Sequence, residues 1–161
     1  MADIQKLLTF AREAGFSAAA VMETKDLVIV PEWRKYCEQN RCGRYGVNPS
    51  CPPACGTVEE MTARLKRFDR ALVLQSTVNP EEMKVNGAKF DHNEKSEALL
   101  LRLPEIGITE SDMITAGPYK QWSCVSAYCI DAQKMADKVG MLCWAHDGLN
   151  RFFTLILFSN D

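Results

Sequence analysis

The sequence predicts one α/β domain over residues 1–161, a single-domain sandwich whose mixed, largely parallel sheet is flanked by helices and broken by a cysteine-rich loop at 31–56. Three observations predict it. The 161 residues, 47% hydrophobic and 25% charged, have the length and composition of one globular unit able to bury a real core. Apolar runs of strand type alternate with segments of helical periodicity, the pattern of helices packed on a sheet. One stretch, 31–56, has no apolar periodicity and carries four of the seven cysteines.

Taken in order, Ile4, Leu7, Leu8 and Ala11 recur at helical spacing behind Asp3, with Gly15 placed to end an amphipathic helix over 3–15. Residues 18–22 and 27–30 are short β-type runs around a polar ETKD and read as a hairpin or two neighbouring strands. Residues 57–69 give the clearest helix: Thr57 and Glu60 make a capping box, and Val58, Met61, Leu65 and Phe68 share a face. A strand at 71–78 follows, with the near-continuous apolar run of a buried position.

The polar stretch 79–91 reads as a surface loop. Asp91 and Glu94 then cap a helix that carries Ala98, Leu99 and Leu101 and stops at Pro104 and Gly107, with His92 as a solvated residue of the cap. Residues 113–116 form a short strand. Ala132, Met135, Ala136 and Val139 mark a last helix ended by Gly140, and 151–158 closes the fold as a strand.

Charge and termini narrow the function. A net charge of −2 and a pI near 5.8 argue against nucleic acid or a membrane surface as partner. The start, MADIQKLL, lacks the basic and apolar regions of a secretion signal, and FFTLILF at 152–158 is too short to span a bilayer. Both point to the cytoplasm, where thiols stay reduced and cysteines serve metals or redox chemistry before disulfides. No Ser-His-Asp set, phosphate loop or paired acid cluster is visible, so whether the chain is an enzyme stays open.

Within 31–56, Cys37, Cys42, Cys51 and Cys55 are spaced C-x4-C-x8-C-x3-C. Packing asks for no thiols in a loop of Gly, Pro, Asn and Arg, whereas four thiolates on one short segment can converge on an ion or cluster at small closure cost. Zinc is allowed, since the closest pairs have three and four residues between ligands, but it is not indicated and no CxxC occurs; a cubane iron–sulfur cluster, being larger than one ion, tolerates longer and less regular spacing. Arg34, Lys35, Arg41 and Arg44 outnumber Glu32 and Glu38, a balance suited to an anionic centre of either kind.

Pro52 and Pro53 stiffen the chain leaving Cys51, and the helix starting at Thr57 turns its positive end toward Cys55. Trp33 and Tyr36 either cover the site or simply anchor the loop on the core. Four unliganded surface thiols are the weaker alternative. Of the others, Cys124 and Cys129 lie among Val125, Ala127, Tyr128 and Ile130 and read as core cysteines; Cys143 beside Trp144 and His146 is a weak catalytic signal.

These residues carry a resemblance. Cys37 to Cys42, then GRYG, then SCPPACGTVEE leading into a helix, is similar to a bacterial and archaeal domain-of-unknown-function family described as predicted metal-binding proteins, with a C…C…YG…CPP signature. The likeness extends to AGPY at 116–119, to SAYCIDAQKMADKVGM at 126–141 and to the closing strand. Longer members carry a second, ferredoxin-like group of cysteines after the AGP stretch; this chain passes from Pro118 through YKQW to Ser123 with almost no room for one. The resemblance implies metal binding and little else.

The reading is therefore a small cytoplasmic metalloprotein holding an iron–sulfur cluster, of 4Fe-4S type, on Cys37, Cys42, Cys51 and Cys55, used for electron transfer with a redox partner protein or for sensing redox state or cluster supply. The alternative is a zinc-stabilised binding module in which the metal is structural and the surface around Tyr45 and Val47 meets a partner. Cys55 is the least secure of the four, with Cys124, Cys143 and His146 as competitors from the C-terminal half.

Overall fold

A computed structural model describes residues 3–40, 43–81 and 87–159. Helix α1 (Ile4–Glu13) starts where the Asp3 carboxylate accepts from the Lys6 N–H at 3.0 Å, and strand β1 (Ala18–Glu23) follows. The chain then runs through 3₁₀ turns and the short helix α2 (Arg34–Glu38) into the cysteine loop. It returns on helix α3 (Val58–Leu65), whose Thr57 and Glu60 form the expected capping box. Strand β2 (Arg70–Val78), helix α4 (Ala88–Arg102), strand β3 (Ser111–Ile114), helix α5 (Ala132–Lys138) and strand β4 (Asn150–Phe158) complete the fold.

The strand order is β1-β2-β4-β3, and every neighbouring pair is antiparallel. This overturns the expected largely parallel sheet. Alternating helical and strand segments point to parallel strands, but here helices cover both faces of an antiparallel sheet, and that two-sided cover also accounts for the apolar run of β2. Ala71 and Val73 face one layer with Phe153, Leu155 and Leu157 of β4, beneath Met61 and Leu65 of α3 and Met135 and Ala136 of α5. Leu72 and Leu74 face the other with Ile156 and Phe158, beneath Leu7, Phe10 and Ala11 of α1 and Leu99 of α4.

The connections explain the direction of each strand. Met22 pairs with Ala71, so β2 begins beside the end of β1: the loop segment travels out and α3 brings the chain back. Strands β2 and β3 do run the same way, joined through α4. Strand β4 lies between them and opposes both.

Other expectations need correction. Residues 27–30 form no second strand; only Ile29 makes a bridge, to Ile130. Helix α4 starts at Ala88 behind a left-handed Gly87, four residues before His92, so His92 lies inside the helix and is 1% exposed. Its Nδ1 is 2.6 Å from Ser76 Oγ and its Nε2 2.7 Å from Thr154 Oγ1. Burial first, and then the Lys95 charge, lower its pKa to about 3. Among the described residues no helix is long and apolar enough to cross a membrane.

Candidate metal centre

Cys37 sits on α2 three positions after Arg34. Both are half-buried while Lys35, Tyr36 and Glu38 are exposed, so one face of this short helix turns inward. Further on, the Cys55 N–H donates to the Cys51 carbonyl at 3.1 Å, a single helical turn that puts two thiols four positions apart on the same side. They are 5% and 9% exposed. The Gly46 N–H donates to the Pro52 carbonyl at 2.8 Å, folding the GRYG turn back over the CPP segment. Cys42 lies outside the described residues.

The Cys55 thiol contacts the flank of α3, 3.6 Å from Met61 Sδ, and the Gly56 carbonyl at 3.9 Å. The first turn of α3 is served by its capping box instead. Arg64 Nη2 donates to the Cys55 carbonyl at 2.6 Å, tying the loop's exit to the helix it enters.

Arg34 is the residue that the sequence reading missed as a structural part. Its Nη1 donates to the Gly56 carbonyl at 2.9 Å, and its Nη2 contacts Met61 Sδ at 3.0 Å and donates to the Ala127 carbonyl at 2.9 Å. Its Nε is buried with no hydrogen-bond partner. The available signal was the helical spacing of Arg34 and Cys37, which was counted only as charge.

The C-terminal thiols approach the same region. Cys55 belongs to the core layer beneath α3, and Cys124 and Cys143 pack against that layer. Cys129 is 1% exposed and left-handed, with φ 57°. Burial pushes its thiol pKa up, the neighbouring Arg34 guanidinium opposes this, and the nearby Cys124 and Cys55 reinforce it. The reading of Cys129 as a buried core residue agrees with its exposure; its backbone conformation was not visible in the sequence.

The remaining candidates fare differently. Trp33 and Tyr36 are 36% and 53% exposed, so neither ring seals the loop. Burial raises the Cys143 pKa and the Arg151 charge opposes this, while Asp147 is held by Arg151 at 2.6 Å and His146 is exposed. Among the described residues no three His, Cys, Asp or Glu side chains stand close enough together to hold a metal ion. Cys37, Cys51 and Cys55 are therefore not drawn into one chelating group. The chemistry of the donors still suits a soft metal or an iron–sulfur cluster: Cys37, Cys51 and Cys55 are free thiols, and Arg34, beside the Cys129 thiol, has a buried Nε–H that lacks an acceptor.

Fold and site together define a protein of helices on both faces of an antiparallel sheet, in which Cys55 lies in the core layer beneath α3 and Cys124 and Cys143 pack against it. Residues 20–120 match the family described as predicted metal-binding protein (DUF2284), and the chain belongs to that family. No curated protein and no solved structure matches it.

Proposed function

We propose that this metal-binding protein holds an iron–sulfur cluster on Cys37, Cys42, Cys51 and Cys55 and uses it to pass electrons or to report redox state or cluster supply. The observation that carries the reading is Arg34, whose buried Nε–H has no acceptor while its guanidinium lies beside the Cys129 thiol. A buried donor of this kind stabilises an anion nearby, and a thiolate-ligated cluster is one. Cys51 and Cys55 on one buried turn, and Cys37 on the inward face of α2, supply thiolates from two directions. The cluster, when bound, supplies a one-electron couple; the chain's part is to exclude water and to set that couple through the Arg34 N–H groups.

The test is purification without oxygen. Brown protein with broad visible absorption, carrying iron and acid-labile sulfide in comparable amounts, is the expected result. Colourless protein with one zinc per chain would replace the cluster by a structural zinc site.

A further inference from the structure

We propose that the free edge of β1 is an interaction surface for a second copy of this chain, the two β1 strands pairing antiparallel about a two-fold axis at Ala20. This pairing needs no metal.

Among the described residues only β2 pairs with β1, which is the end strand of the sheet. The Thr24 N–H donates to the Asp69 carbonyl at 3.1 Å, in the same register that sets Met22 opposite Ala71 and Ala18 opposite Gln75. Bonded and non-bonded pairs alternate along an antiparallel ladder, so Ala18, Ala20 and Met22 turn their N–H and C=O groups to β2. Those of Ala19, Val21 and Glu23 point off the sheet. Natural edges are blunted by charge, proline, a bulge or shortness. Here the strand has six residues, with no charge and no proline from Ala18 to Met22. The opposite edge is treated differently. Strand β3 has four residues, and Thr115, just beyond it, is already bonded to Ser123 and Val125 at 3.1 Å each.

The two ends of β1 select the occupant. An antiparallel neighbour centred on Ala20 sets Ala19 opposite Val21, so the outward groups of each copy meet those of the other. It also sets Ser17 opposite Glu23 and Gly15 opposite Lys25. At the end of β1 an open cleft of about 380 Å³ is lined by Glu23, Lys25, Lys66 and Asp69. At its start stands the carboxyl end of α1, with the negative end of the helix dipole and an exposed Glu13. Lys25 already pairs with Glu23 at 3.1 Å, whereas Lys66 has no ion-pair partner among the described residues. Each copy's Lys66 cleft is thereby brought to the other copy's helix end, a match of opposite charge made twice by the symmetry. Ala18, Ala19 and Ala20 are small and half-buried, so no large side chain bars the approach. A peptide of another sequence would satisfy the backbone groups but would not return this helix end to the cleft. Pairing consumes the open edge of both copies, so assembly stops at two.

The experiment uses the full chain under reducing conditions, so that no disulfide joins two copies. Sedimentation equilibrium over about a hundredfold range of concentration is expected to show monomer and dimer and nothing larger. Amide exchange followed by NMR is expected to slow about tenfold or more at Ala19 and Val21 between dilute and concentrated protein, with Ala18, Ala20 and Met22 protected throughout. Ala19→Pro removes an outward N–H, which an edge strand tolerates, and is expected to be a folded monomer. Lys66→Glu is expected to weaken the dimer about threefold or more. A chain that stays monomeric at every concentration leaves the edge to a partner of another sequence and overturns the proposal. So does a dimer in which Ala19 and Val21 exchange as fast as in the monomer, or one that folded Ala19→Pro retains. If Ala19→Pro does not fold, amide exchange in wild type decides alone. Undiminished dimerisation of Lys66→Glu overturns the pairing about Ala20.

Discussion

Arg34 Nη2 donates to the Ala127 carbonyl at 2.9 Å, joining positions 93 residues apart. Through this bond the helix at the mouth of the cysteine loop is fastened to the turn that carries Cys124 and Cys129. The same guanidinium holds Gly56 at the loop's other end, so one side chain fixes three segments. A lysine offers one ammonium in place of a planar fork and cannot span them.

Arg34→Ala is accordingly expected to lower the stability of the metal-free protein by about 2–3 kcal/mol, since two partly buried carbonyls lose their donors. Arg34→Lys should recover only part of this. Urea midpoints of the three proteins decide it, and equal midpoints would reduce the clamp to a surface contact.

His92 sets an acid limit. Its ring is buried between Ser76 and Thr154, satisfied as the neutral form with one nitrogen donating and one accepting. Its folded pKa lies near 3, against 6.5 for the exposed residue. Between those values the unfolded chain binds the extra proton, so stability is full above about pH 6.5 and falls on acidification by up to about 1.4 kcal/mol per pH unit. Denaturant midpoints from pH 8 to pH 4 should show this slope in wild type and a flatter one in His92→Gln. Parallel slopes would assign the acid sensitivity to other groups.

Much of the fold was legible because local chemistry agreed with the final structure. Asp3, the Thr57 and Glu60 capping box and the period of Met61 and Leu65 placed α1 and α3 to within a few residues. Strand direction was not legible, because Leu72 and Val73 are buried on opposite faces whether the neighbouring strands run parallel or antiparallel. His92 was misplaced for a related reason: the acidic residues at 91 and 94 resemble a cap, while the helix starts at Ala88, behind Gly87. At the site, cysteine spacing within the loop was readable, but the approach of Cys129 depends on tertiary folding across the Arg34 bridge.

Cys51 and Cys55 are both buried, yet only Cys55 belongs to a core layer. Cys51→Ala should therefore abolish metal and speed amide exchange across 31–56, while the metal-free core keeps its stability to within about 1 kcal/mol. Wild-type metal content and exchange in this variant would remove Cys51 from the site.

Cys55 needs two substitutions because its thiol has two surroundings, Met61 in the core and the loop in which Cys51 sits one turn earlier. Cys55→Ser puts a hydroxyl against Met61 in the core layer and should cost the metal-free protein about 1–3 kcal/mol. Cys55→Ala keeps the site apolar and should cost less, so its effect on metal is separable from its effect on folding. If Cys55 is a ligand, both variants lose metal or, in the serine variant, give a reduced cluster with an altered spectrum, and the alanine variant does so while still well folded. If instead both retain the wild-type metal ratio and spectrum, and only the serine variant is destabilised, Cys55 is a core thiol. The centre would then be open at one corner or completed from the 124–131 turn, and an open corner is what allows a cluster to bind a substrate as well as carry electrons.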